Sequence, residues 1–241
     1  MHSFIILLFL LCFSESYAGD IAQLSVLGFS KNAKFFAFEQ FGSHESSNEN
    51  YADLFLLEVE KNDFAIKPFQ QNSMQKSIEE LREINKHKAK LKLKELQLLK
   101  PEIGNHLLSR PLTDLSGSPY QVEFSLQPTL AGSSSDIYIL NLETKETDQE
   151  CFGLGKAKIF TLTLKGKNDN QIQILQKDTQ LPISRGCPLD YRLAEIISYQ
   201  NKIVVFINMF FAGSEGHNMR YLAVTAHIKD SYKKKTLEGL K

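Results

Sequence analysis

Apolar and polar residues alternate along much of this chain with a period of two, the pattern of strands that bury one face. Ala22, Leu24 and Val26 alternate with Gln23 and Ser25, and Ser30-Lys31-Asn32-Ala33 reads as a tight turn with Asn32 left-handed. Phe35, Phe36, Phe38 and Phe41 follow and bring enough aromatic area to seed a core. Beyond a polar loop at 43–50, Tyr51 to Glu60 supplies a third strand on which this hairpin can pack. Phe64 to Phe69 is a short strand whose Pro68 lacks an amide donor, so it belongs at an edge or a strand end.

The pattern then changes. From Ser73 to Lys100 there is no Gly or Pro, and Leu, Lys, Glu and Gln dominate, so one helix is predicted over about 73–100. Ser77 and Glu80 have capping-box spacing, and Pro101 closes the segment. Met74, Ile78, Leu81, Ala89, Leu93, Leu96 and Leu99 share a broad face opposite Lys76, Lys86, Lys90 and Lys94. Such a lysine face raises a membrane-surface or nucleic-acid role, but a helix laid on a sheet with its lysines solvated is the favoured expectation.

Strand patterns return from Ile103. Val122, Phe124 and Leu126 share one face; Asp136 to Leu142, Lys158 to Leu164 and Gln171 to Leu175 follow, with 165–170 as a hairpin loop. Tyr191 to Tyr199, the turn 200–202, the very apolar run Ile203 to Phe211 and a last strand, Arg220 to His227, complete the chain. The expected fold is mainly β: an antiparallel sandwich or propeller-like assembly of about ten short strands with one long amphipathic helix.

Composition adds the compartment. Lys and Arg together number 28, as do Asp and Glu, so no net field selects nucleic acid. Phe4 to Phe13 is an apolar run of ten, too short to span a bilayer, and Ser16-Tyr17-Ala18 resembles a signal-peptidase site. Residues 1–18 are therefore expected to be a signal peptide cleaved after Ala18, and 19–241 a single domain in the periplasm or outside the cell, with no transmembrane anchor. Leu11 before Cys12 argues against lipidation. With Cys12 removed, Cys151 and Cys187 form an even pair that an oxidising compartment lets bridge.

Two resemblances bear on this. Gly28 to Gly42, GFSKNAKFFAFEQFG, resembles the blade motif of periplasmic propellers such as that of the Tol–Pal system, with Lys31, Asn32 and Ala33 replacing its Pro, Asp and Gly. More widely, Gly19-Asp20-x-Ala22, Leu27-Gly28-Phe29-Ser30, Phe36-Ala37-Phe38-Glu39 and Tyr51-Ala52 occur with Arg185-Gly186-Cys187-Pro188 and Tyr191. Phe211-x-Gly213-x-Glu215-Gly216 and Arg220 to Thr225 complete a set that resembles a family of bacterial predicted secreted proteins of unknown function. That resemblance implies export and a single domain family, and brings no catalytic residues.

Candidate chemistry is sparse. The histidines have no His-x₃-His spacing, and there is no Cys-x-x-Cys, Gly-x-Ser-x-Gly elbow or phosphate-binding loop. Glu45, Asn48, Glu49, Asn50 and Asp53 are oxygen-rich but lack calcium-loop order, so no metal and no cofactor are expected. Cys187 beside Arg185 suggests an activated thiolate, against which the disulfide is favoured. The loop holding Glu215 and His217, with Arg220 beyond it, is the candidate binding site: its glycines admit close backbone approach, and its charges are opposite. The expected function is a non-catalytic exported binding or scaffolding β-domain, its partner left open with a protein as the candidate. A hydrolase acting through Glu215, His217 and Arg220 is the alternative, and a membrane-surface adaptor using the helix a third.

Overall fold

The computed structural model describes residues 19–44, 47–126, 137–167, 171–213 and 216–228. Ala18, the expected leader and Glu215 lie outside them. The N-terminal sheet consists of β1 (Gln23–Phe29), β2 (Phe35–His44) and β3 (Glu49–Glu58) as a meander, with β4 (Asp63–Phe64) and β5 (Phe69–Ser73) sharing the outer edge of β3. After helix α1 (Ile78–Glu95) comes β6 (Asn105–Ser109). A second sheet, β7 (Gln121–Ser125), β8 (Ile137–Glu150), β9 (Lys156–Gly166) and β10 (Ile172–Lys177), is a plain meander. A third sheet has the order β6, β11 (Pro188–Tyr199), β12 (Lys202–Ala212), β13 (His217–His227), and all ladders are antiparallel.

This third sheet lies in the middle of the molecule, and the alternation of its side chains shows how. On β12, Ile203, Val205, Ile207 and Met209 pack on Leu140, Leu142, Phe160, Leu162 and Leu164 of the second sheet. The intervening Val204 and Phe206 pack on Phe36, Phe38, Phe55 and Leu57 of the N-terminal sheet. A strand covered on both faces must be apolar at successive positions, which explains the run from Ile203. Leu54, Leu56 and Ala37, on the far face of the N-terminal sheet, receive Ala89 and Leu93 of α1. Helix and three sheets thus form a layered stack. Of the two architectures expected, the sandwich describes this stacking, in which the central sheet is covered on both faces by the other two.

The helix is shorter than 73–100. Ser73 still pairs in β5, and the capping box at Ser77 and Glu80 starts the helix. Gln97 takes a φ of 60°, and Leu98 N–H reaches the Leu93 carbonyl at 2.7 Å, a Schellman end that stops it before Pro101. Met74 and Leu99, assigned to the apolar face, are exposed. The face that is apolar is covered by the sheet, where Arg82 also meets buried Glu39 at 2.8 Å and Asn85 donates to Ala52 O at 2.8 Å. In the first turn Ala33, not Asn32, is left-handed (φ 55°). Asn32 instead accepts the Lys34 N–H through its side chain at 3.1 Å, an Asx turn that passes the positive φ to its neighbour.

Cys151 and Cys187 form a disulfide, with Cα atoms 5.7 Å apart, that ties the end of β8 to the start of β11. Among the described residues no helix is long and apolar enough to cross a membrane.

Candidate functional site

Strand β13 is the edge of the central sheet, and its two sides differ. One side is paired with β12 along its whole length. On the other, residues 20–22 cover only the first part: Met219 N–H donates to Asp20 O (2.8 Å) and Ala22 N–H to Met219 O (3.1 Å). The N-terminal segment then leaves for β1, and two side-chain amides take over. Gln40 Oε1 accepts the Tyr221 N–H at 3.0 Å, and Asn62 Oδ1 accepts the Thr225 N–H at 2.8 Å.

Because outward amides alternate along an antiparallel strand, Ala223 points both its N–H and its C=O the same way as Tyr221 and Thr225. Among the described residues nothing bonds to it there. The open edge faces a groove of about 610 Å³ lined by Tyr221 to Val224 themselves. Phe38, Phe55 and Leu57 of the N-terminal sheet form one wall, Met209 and Phe211 floor the other, and Phe64, Pro68 and Pro182 stand at the rims.

A polar cluster closes the end of the groove nearest Asp20. The buried Asp20 carboxylate accepts from Arg220 and from Tyr51 Oη at 3.1 Å, and lies 3.0 Å from His44 Nδ1. The Arg220 guanidinium also lies over the Tyr51 ring, 4.5 Å from its centroid, and donates to the carbonyls of Asp20 and Met219. Burial pushes the Tyr51 phenol well above its ordinary pKa, the more so beside Asp20, although Arg220 opposes the shift. Asp53, across the ladder from Gln40, accepts from Gln70 Nε2 at 3.3 Å; burial raises its pKa despite that bond and despite Arg220. On the opposite wall Arg185 is held by both oxygens of Asp178 and lies 4.7 Å over the Phe160 ring.

The predicted site residues are not brought together. Glu215 lies outside the described residues. His217 is exposed and lines a second hollow with Tyr120, Lys158, Asp190 and Arg192, whereas Arg220 belongs to the large groove. The loop considered for calcium is dispersed: Asn50 bonds Ser43 and Lys76 O, Glu49 bonds Asn72, and Asp53 bonds Gln70. Among the described residues no three His, Cys, Asp or Glu side chains are placed to hold a metal ion. The residues that sequence reasoning missed are Gln40, Asn62 and Ala223, which become a site only through strand pairing, and Asp53, weighed there only as a calcium-loop oxygen, joins them. One signal was present: Asp20, Tyr51 and Arg220, quoted above for the wider resemblance, touch one another.

A family profile described as predicted secreted protein (DUF2259) matches residues 37–227, from β2 to the last residue of β13. No curated protein and no solved structure matches the chain significantly.

Proposed function

Since the chain belongs to a family of predicted secreted proteins of unknown function, we propose that it is an exported binding module that takes an extended polypeptide segment as an added strand on β13. The observation that carries this is the unpaired backbone of Ala223, set in a groove between two capped neighbours. The groove walls rise on both sides of the edge, so they accept one strand rather than a whole sheet. Hydrolysis through Glu215, His217 and Arg220 finds less support, because Arg220 is engaged by Asp20 and His217 lines a different hollow. Export to the periplasm or to the medium suits either outcome of the test.

Ala223→Pro removes the open donor, and an edge strand tolerates Pro where its N–H faces outward. Panning random displayed octapeptides on the folded chain is expected to enrich segments with alternating apolar residues, which the variant no longer holds while keeping its melting temperature. Enrichment of no peptide, or equal capture by A223P, would sink the reading.

A further inference from the structure

Two acids and two arginines line the groove, but both arginines are already held by carboxylates outside that lining. Arg220 is taken by Asp20 and Arg185 by Asp178. Asp53 and Asp63 also line it, and among the described residues neither has a cation within 4.0 Å. Their hydrogen bonds come from neutral amides, Gln70 Nε2 for Asp53 and Phe64 N–H for Asp63. A half-buried carboxylate with only amide donors favours an incoming cation.

Its position says which residue of the incoming strand would supply that cation. Phe55 and Leu57 of β3 face the central sheet, so Asp53, two residues before Phe55, faces it too. Asp53 is paired across the ladder with Gln40, and Gln40 holds the Tyr221 N–H. On β13, Tyr221 and Ala223 face the N-terminal sheet, whereas Leu222 and Val224 face the second. Directly opposed residues of antiparallel strands share a face. The strand residue opposite Tyr221 therefore points toward Asp53, two positions from the residue opposite Ala223. Those opposite Leu222 and Val224 point toward Met209 and Phe211.

We propose that the groove selects a polypeptide segment carrying a lysine or arginine, its cationic head on Asp53 and its backbone paired with Ala223, with apolar residues at the adjacent alternate positions. This rests on the strand-addition reading above and adds to it the chemistry of the partner. A second copy of this chain is the competing occupant, pairing β13 with β13.

The test uses the complete mature chain and the octapeptides that panning enriches. Among peptides that bind, a basic residue is expected two positions from the centre of the apolar alternation. Replacing it by norleucine, which keeps the stem and removes the charge, should weaken binding about tenfold, the scale of one charge-assisted hydrogen bond. Asp53→Asn should abolish that difference and leave the norleucine peptide bound as before. The inference is overturned if the winners lack a basic residue, if wild-type protein binds both peptides equally, or if D53N still discriminates. Those results leave strand addition standing, since A223P would still lose every peptide. Binding by A223P as by wild type defeats both ideas, and so does a wild-type dimer in sedimentation that A223P dissociates. The lysine–norleucine comparison needs no variant, so poor folding of D53N does not rescue the inference.

Discussion

At the scale of single residues, Asp53 carries a stability cost that its place in the chain does not announce. In the sequence it closes a polar stretch and looks solvated; in the fold, pairing of β3 with β2 and β5 half-buries it. Burial raises its pKa above the ordinary carboxylate value of about 3.9. The folded state then binds more protons than the unfolded state between the ordinary value and the raised one. Stability consequently falls as pH rises through that window and stays at the lower level above it. Asp53→Asn is expected to melt higher than wild type at pH 7, with the gap closing toward pH 3, as calorimetry at the two pH values would show. An equal or lower melting temperature at pH 7 would contradict the assignment. Asn32 teaches the same lesson more mildly: its turn was legible, but a side-chain bond to Lys34 decided which residue became left-handed.

At the scale of elements, what was legible was whatever depends on neighbours a few residues apart. The helix start is an example, because Ser77 Oγ accepts the Glu80 N–H while Glu80 accepts the Ser77 N–H, two bonds contained in one turn. Ser77→Ala removes the first of them and should cost about 1 kcal/mol in urea unfolding, with the slope unchanged. A cost near zero would mean that packing on the sheet alone sets the helix start. The helix end was missed because Gln97 occupies a left-handed position where Gly is the usual marker. Strand β12 was recognised by its apolar run, though a run of that kind does not say which partners cover its two faces. The apolar stripe of α1, which a membrane-surface role would require, is spent on Leu54, Leu56 and Ala37.

At the scale of the molecule, the disulfide links the second sheet to the central one, from the end of β8 to the start of β11. It closes a sequence separation of 36 residues, for which chain entropy suggests about 3–4 kcal/mol of stabilisation. Replacing both Cys151 and Cys187 by Ala should lower the free energy of unfolding by that amount, whereas reductant should leave the variant unaffected. If the double variant unfolds like wild type, the layers hold without the bond. The sequence by itself determined the β-rich class, the helix and its cap, the pairing of Cys151 with Cys187 and the family, because periodicity, propensity and motif are local or order-dependent properties. Tertiary structure alone decided that β6, β11, β12 and β13 form the middle layer, that residues 20–22 cover one end of β13, and that Ala223 is left open. Those facts depend on which strand edges meet, and residues 20, 40, 62 and 223 carry no mark of their neighbours until the ladders place them side by side.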